Sequence, residues 1–496
     1  MNGRYTLFRA HDIRGKREAF AGTEGERLGA ALALYFIHTL KVMRVVLARD
    51  ARLGGAELQQ QLLSVFCKAG LEVLLEPNPI GTCQFYYACL SHIDAAAVMV
   101  TASHNPASYL GMKLVGPNLQ VISMGHGPAG GLELIQQLYE ANEPINENGR
   151  QGSVHMLDTL GAFITYSAEL ANVGSRDVSG LSVGCDFQHG SAGCAIGRAL
   201  GELGVHYSAL HLIPNGNFPQ GDPNPGIEAS MQDAKAFLAV KPLPLFFAYD
   251  GDGDRMDVLY KGRQLSPSLV LLSIADELVN LNKDGCEPTF LFDVKASPPL
   301  LFEMRRRGYK VAIVQPGHSA VKQRMNSSRT DFLLCAAEES AHYYYQLKGM
   351  DGTRYASENT LFYTLLILKA YKKNPSLFET ARALQDAFYR EREWSVSITD
   401  EQDRSAFLEK VQLYLLSKGA KAVSHDSRGN SLGATLYRYG LDEGATLSAS
   451  WFQVFQRLSQ SEDNLLRFEV LASDQGLGRS IAEAVKALQS GFHQTR

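Results

Sequence analysis

Arg44-Val45-Val46-Leu47-Ala48-Arg49-Asp50 reads as a buried strand that ends in a carboxylate. A helical stretch runs from there to Gly70, and Leu71 to Leu75 reads as a second strand. A glycine closing the helix between two apolar strands is the grammar of a βαβ unit, which implies a parallel or mixed sheet. The same grammar returns at Leu181 to Asp186, with a helix to Gly204 and a strand from Val205. It returns again at Thr289 to Asp293, with a helix to Gly308 and a strand over Tyr309 to Val314. Repeats roughly 110 to 135 residues apart point to related domains, since a solenoid repeats at a much shorter period.

The fold class expected is therefore α/β. Three related mixed-sheet domains span 1–150, 151–258 and 259–374, and a smaller C-terminal α+β domain spans 375–496. The first boundary follows the polar stretch Asn142 to Gly152, and the third follows the long helix Glu358 to Lys373 at Asn374-Pro375. The last part reads as helices at Leu377 to Arg390 and Asp403 to Lys418. Strands follow at Ala434 to Tyr439, Thr446 to Phe455 and Leu465 to Leu471, then a helix to Leu488. That order suits an antiparallel sheet.

The chain has 496 residues, 45% of them hydrophobic and 20% charged, enough apolar material for several cores. Its net charge of −4 and lack of a basic tract argue against nucleic acid or an acidic membrane as a main partner. Met1 to Lys16 carries Arg and Asp without an apolar centre, unlike a signal peptide, and no apolar run reaches membrane-spanning length. The cysteines at 67, 83, 89, 185, 194, 286 and 335 form no Cys-x-x-Cys pair and read as buried free thiols, which places the protein in the cytoplasm.

Two segments carry most of the chemistry. Thr101-Ala102-Ser103-His104-Asn105-Pro106 follows the apolar run Ala95 to Val100, so Ser103 stands just past a strand end, on a turn favoured by Asn-Pro. Asp250-Gly251-Asp252-Gly253-Asp254-Arg255 follows the apolar run Leu243 to Tyr249. Carboxylates crowded on one turn repel one another, and a divalent cation is the usual remedy. An EF-hand would need Gly and Glu where Arg255 and Lys261 stand. A solvated turn, and the Asp-x-Asp opening of an aspartate-nucleophile phosphatase, remain as alternatives.

Two weaker segments follow. Glu338-Glu339-Ser340-Ala341-His342 puts Glu338 and Ser340 on one side of an extended chain, able to grip neighbouring sugar hydroxyls, with His342 able to move a proton. Arg457-Leu458-Ser459-Gln460-Ser461-Glu462 combines a guanidinium with hydroxyl and amide donors that suit a phosphate. Surface polar loops are the plain alternative for both. Gly125-His126-Gly127-Pro128-Ala129-Gly130 matches a dinucleotide glycine pattern, but Pro128 lies inside the turn and no second strand follows.

In order, these segments resemble the α-D-phosphohexomutase family, most closely its bacterial phosphomannomutase/phosphoglucomutase branch. The likeness includes Phe8-Arg9-Ala10-His11-Asp12-Ile13-Arg14-Gly15, Ala48 to Arg52, Gly111-Met112-Lys113, Asn217-Phe218-Pro219, Phe292-Asp293-Val294-Lys295 and Gly317-His318-Ser319. The resemblance implies four domains around a central cleft. It implies that hexose 6-phosphate and hexose 1-phosphate, of mannose or glucose, interconvert through a phosphoserine at Ser103 and a bound 1,6-bisphosphate. Mg²⁺ would be held by Ser103, Asp250, Asp252 and Asp254, with hexose 1,6-bisphosphate as activator. Arg14 and Lys113 match positions beside the phosphoserine, Lys113 and His342 being acid/base candidates. Glu338 and Ser340 match sugar ligands, and Arg255, Lys295 and His318 match cleft positions. Arg457, Ser459, Gln460 and Ser461 match the clamp on the distal phosphate.

Departures from the family pattern are Ala337 and Ala341 in place of glycines, His11 for Tyr, Leu110 for Asn, and Gln460, Ser461 and Asp463 in the last loop. Each leaves the charged groups in place, so an active enzyme with an atypical sugar preference is expected. Its partners are sugar phosphates, and it is a monomer or a dimer. A phosphoglucosamine mutase, an aspartyl phosphatase and a sugar-phosphate binder without turnover are the rival readings.

Overall fold

The computed structural model describes residues 7–145, 151–282, 287–327, 332–426, 428–441, 447–459 and 464–491. The chain forms two compact units, one of Met1–Leu265 with Ser340–Pro375, the other of Ser266–Glu339 with Ser376–Arg496. No helix among the described residues is long and apolar enough to cross a membrane.

The first unit contains two mixed sheets. In one, Arg44–Arg49 runs parallel to both Glu72–Pro79 and Ala96–Val100, and Val154–Met156 adds in parallel beyond Glu72–Pro79. On the opposite side Tyr109–Gly116 pairs antiparallel with Ala96–Val100, and Ile13–Lys16 with Tyr109–Gly116. The helix Gly55–Lys68 turns Leu58, Leu62 and Phe66 onto this sheet, against Val45, Leu47 and Val98. Leu62 is fully buried, so its truncation to Ala would cost about 2–5 kcal/mol. The second sheet repeats the plan. Ser182–Asp186 lies parallel to His206–Leu210 and to Leu245–Tyr249, and Met256–Tyr260 returns antiparallel. The hairpin Tyr343–Lys348/Arg354–Glu358 and the helix Thr360–Lys373, capped by the Asn359 side chain, complete the unit.

In the second unit Pro288–Asp293 runs parallel to Lys310–Val314 and Phe332–Ala337. The expected C-terminal antiparallel sheet is present, in the order Tyr389–Ser397, Leu465–Ala472, Leu447–Leu458, Ser431–Leu441, Lys421–His425. Phe407, Val411 and Leu415 of the helix Glu401–Ser417 and Ile481 and Val485 of the helix Gln475–Ala487 pack on one core with Val454, Leu466 and Phe468. One expectation needs correction. The helix expected to reach Arg390 ends at Asp386, and Tyr389–Ser397 is a strand. Its run of Arg and Glu hides the strand signal, because those side chains enter ion pairs and do not form an apolar face.

The repeat read from the sequence has an atomic counterpart. Asp50, Asp186 and Asp293 each sit at a strand's C-terminal end, buried. Each accepts the backbone N–H two residues on, from Arg52 at 2.9 Å, Gln188 at 2.9 Å and Lys295 at 3.0 Å. An Asx turn of this kind converts a strand into a loop without leaving a buried donor unpaired.

Candidate active site

Ser103 and the three aspartates meet in the first unit, although about 150 residues of chain separate them. Ser103 Oγ donates to Asp250 Oδ2 at 3.2 Å. Asp250, Asp252 and Asp254 bring carboxylate oxygens within 4.8 Å of one another, and all three are buried. Thr82 Oγ1 donates to Asp252 Oδ2 at 2.6 Å, Thr101 Oγ1 reaches the same oxygen at 3.3 Å, and Lys113 Nζ does so at 2.7 Å. Lys113 also pairs with Asp254. Asp252 Oδ1 is buried with no hydrogen-bond partner.

The electrostatics follow from this crowding. Burial, together with Asp252 and Asp254, pushes Asp250 well above the ordinary carboxylate range. Burial works on Asp254 in the same sense, but Lys113, His342 and Arg255 outweigh it and hold that group well below. For Lys113 burial disfavours the charge, yet Asp252 and Asp254 overcome it and the ammonium keeps its proton more firmly than a free lysine. Hard carboxylate oxygens at close quarters, one of them unbonded, fit a divalent cation.

Around this centre the structure gathers other expected residues of the first unit. Arg14, on the strand Ile13–Lys16, donates to Asn105 Oδ1 of the serine loop at 2.8 Å. It can approach because Gly111 lies opposite on the neighbouring strand, where a Cβ would stand 2.2 Å from the Ile13 carbonyl oxygen. Arg255 Nε lies 3.9 Å from Asp250 Oδ2, and the backbones of Arg255 and His342 form an antiparallel bridge. His342 Nε2 lies 3.5 Å from Asp254 Oδ1, and its Nδ1 is 3.0 Å from Ser340 Oγ. Asp254, His342 and Glu358 form a second buried group of potential ligand atoms.

Lys295, His318, Glu338, Arg457 and Ser459 belong to the second unit. Glu338 Oε1 accepts the Gly317 N–H at 2.6 Å, which brings Glu338 beside the start of the helix His318–Ser327. Lys295 Nζ lies 3.5 Å from Glu393, whose other oxygen meets Arg467 at 3.2 Å. Arg457 is the cross-strand partner of Arg467. Burial raises Glu393, but Lys295, Arg457 and Arg467 overcome it and keep the carboxylate ionised. Gln460 and Ser461 lie outside the described residues.

Sequence reasoning missed several participants. Thr82 has no signal of its own, since a threonine at the start of the helix Thr82–Ser91 reads as a capping residue. His104 Nδ1 lies 3.2 Å from Ser103 Oγ, and burial, then Arg255 and Arg14, push its proton affinity far down. Glu393 and Arg467, in the strands Tyr389–Ser397 and Leu465–Ala472, were marked by no motif. The Gly125–Gly130 segment contains a bridge residue, His126, and the short turn Pro128–Gly130, tied by Tyr35 O–H to the Pro128 carbonyl at 2.8 Å; contrary to expectation, a strand, Val154–Met156, does follow the next helix.

Comparison with known proteins gives the same result from two directions. Residues 5–124 match the family described as phosphoglucomutase/phosphomannomutase, alpha/beta/alpha domain I, and residues 162–263 match its domain II. The chain is 27% identical over 379 residues to a phosphoglucomutase of Neisseria gonorrhoeae, covering 75% of this chain and 76% of the relative. It is 29% identical over 360 residues to a phosphomannomutase/phosphoglucomutase of Pseudomonas syringae, covering 72% and 73%. In fold it is similar to the crystal structure of a phosphoglucomutase/phosphomannomutase family protein of Burkholderia thailandensis. That match has a TM-score of 0.76 at 23% identity and covers 98% of each chain. With serine, carboxylate loop and lysine assembled at one point, the chain carries matches to domains I and II of the phosphoglucomutase/phosphomannomutase family, in that order.

Proposed function

We propose that the protein is a phosphohexomutase that interconverts hexose 6-phosphate and hexose 1-phosphate, with mannose and glucose as the sugars. The observation that carries this reading is the 3.2 Å hydrogen bond from Ser103 to Asp250 within a buried carboxylate cluster. In the phosphorylated enzyme the bond from phosphorus to Ser103 Oγ breaks while one to a sugar hydroxyl oxygen forms, giving the 1,6-bisphosphate. The second half-reaction reverses this with the other phosphate after the intermediate turns over, so no phosphate is lost.

Asp250, Asp252 and Asp254 would hold Mg²⁺, which when bound neutralises charge on the phosphoryl oxygens beside Ser103. Lys113 supplies a fixed positive charge at the same place, and Arg14 and Arg255 add two more. His342, with Nδ1 toward Ser340 Oγ, takes and returns the hydroxyl proton. Glu338 and Ser340 are assigned to sugar hydroxyls, Lys295 and His318 to the substrate, and Arg457, Ser459, Gln460 and Ser461 to the distal phosphate. A phosphate-centred grip of this kind tolerates either orientation of the bisphosphate, which also primes the resting enzyme as activator. The proposal assigns the serine loop to 1–150, the metal loop to 151–258, the sugar loop to 259–374 and the clamp to 375–496. A cytoplasmic location is part of it, supported by the thiols of Cys67, Cys83, Cys185, Cys194 and Cys335, which form no disulfide among the described residues.

The test is intact-mass and peptide mapping of the purified protein, with a coupled assay on glucose and mannose 1-phosphates in Mg²⁺ and a trace of bisphosphate. An alkali-labile phosphate on Ser103 and loss of turnover in Ser103→Ala are expected. A hydroxylamine-labile phosphate on Asp250 would overturn the proposal in favour of a phosphatase, although full burial of Asp250 speaks against that role. Ligand binding without isomer exchange would reduce the protein to a binder.

A further inference from the structure

Ser103 has a φ of +51°, the left-handed region that an L-residue other than Gly, Asn or Asp rarely enters. Something must hold it there, and the peptide groups on both sides of it are tied. Its N–H donates to Thr101 Oγ1 at 2.9 Å. Its carbonyl accepts from Arg52 Nη2, and Arg52 Nη1 donates to the Pro106 carbonyl at 3.0 Å. Both ties rest on one carboxylate. Asp50 Oδ2 accepts Thr101 O–H at 2.6 Å and lies 3.3 Å from Arg52 Nε, while Asp50 Oδ1 accepts the Arg52 N–H at 2.9 Å.

The Asp50 and Arg52 side chains are fully buried, and the Phe218 ring covers the guanidinium 5.1 Å away. A Cβ at Gly251 would stand 2.7 Å from the Ser103 carbonyl oxygen and 3.4 Å from Arg52 Nη2, so the carboxylate loop closes over the same carbonyl.

A buried ion pair is a poor device for stability alone, because an apolar pair of similar volume does as well or better. What this one supplies is direction. The planar fork of Arg52 is aimed at carbonyls of the serine loop, and Ser103 is the residue whose backbone departs from the ordinary regions. Lysine offers a point charge without that fork and cannot span two carbonyls from one stem in the same way.

We propose that Arg52 is a positioning residue for the nucleophile: it holds the Ser103 carbonyl, with Thr101 holding the N–H, so that Oγ is presented to the carboxylate loop. Arg52 never touches the phosphoryl group. The inference rests on the reading of Ser103 as the phosphoryl carrier.

The experiment compares Arg52→Lys and Thr101→Val with the parent enzyme. Three quantities are followed: turnover and KM on glucose 1-phosphate at fixed bisphosphate, the rate at which glucose 1,6-bisphosphate phosphorylates Ser103 (by intact mass), and the thermal midpoint. Expected is a fall in kcat of at least tenfold for Arg52→Lys with KM changed less than threefold. Phosphorylation of Ser103 should slow by the same factor. Thr101→Val should show the same split.

A parental kcat and phosphorylation rate in a folded Arg52→Lys would overturn the inference, as would a loss carried by KM alone. Should Arg52→Lys fail to fold, Thr101→Val decides. A slowed Ser103 phosphorylation at unchanged KM supports the tie, and a parental rate overturns it. If the parent itself acquires no phosphate on Ser103, the reading of the site fails first and takes this inference with it. If the parent acquires it and the variants match the parent, the inference alone falls.

Discussion

Glu339 and Arg390 form a partly buried ion pair at 2.7 Å, and the other arm of Arg390 meets Glu469 at 2.7 Å. Ser266 and Ser268 hydroxyls donate to the same Glu339 carboxylate, so its acceptor capacity is filled. Of the two adjacent acids, Glu339 is the one committed to this cluster, while Glu338 Oε1 accepts the Gly317 N–H. Arg390→Met strands two buried carboxylates and should cost about 3 kcal/mol or more in denaturant unfolding. Adding Glu339→Gln removes one stranded charge, so the double variant should be the more stable of the two. Equal stabilities would show that the cluster is solvated.

Gly111 lies where a Cβ would meet the Ile13 carbonyl oxygen at 2.2 Å and the Arg14 Cα at 3.1 Å. Both are backbone atoms and cannot swing aside. Gly111→Ala should lose about 1–3 kcal/mol of stability and displace the strand that carries Arg14, lowering kcat/KM. A crystal structure of the variant with Arg14 still 2.8 Å from Asn105 Oδ1 would contradict the second half of this expectation.

Removal of divalent cations with a chelator should abolish turnover, and Mg²⁺ should restore it. Asp252→Asn weakens the ligand set at the residue whose Oδ1 is left unbonded. Activity should fall at least about a hundredfold, with the Mg²⁺ concentration for half activity raised. Calorimetric titration of Mg²⁺ into parent and variant measures this directly; equal affinities would remove Asp252 from the ligand set.

Asp293 is pushed up to about 7, chiefly by burial and then by Glu339 and Glu338, against the pull of Lys295. A carboxyl that is harder to ionise when folded is penalised once it must ionise. The penalty is absent below the unfolded value, grows between the unfolded and folded values, and is constant above the folded one. Stability should therefore drop between about pH 4 and pH 7 by an amount of order a few kcal/mol attributable to this group. Asp293→Asn should flatten that part of the profile, measured as unfolding midpoint against pH. An unchanged slope would mean Lys295 keeps Asp293 ionised throughout.

Much was legible in the residues alone. Apolar runs closed by glycine and ended by aspartate identified the strands Arg44–Arg49, Ser182–Asp186 and Pro288–Asp293, because burial and chain reversal are local requirements met by local residue types. The serine loop and the aspartate loop stood out equally in the sequence, and the structure brings Ser103 within hydrogen-bond reach of Asp250. The strand Tyr389–Ser397 was not, because its charges are balanced by partners far along the chain.

Sequence by itself determined most of the strands and helices, which loops carry hydroxyl, carboxylate and guanidinium groups, and how often the α/β plan repeats. Only the tertiary structure decided that Lys113 is held as a cation by two aspartates, that Thr82 joins them, that Glu339 pairs with Arg390, and that Arg52 and Thr101 hydrogen-bond the Ser103 backbone. The physical reason is range. Propensity and periodicity act over a few residues, whereas a buried charge chooses its partner by distance and desolvation in space, to which order along the chain is no guide.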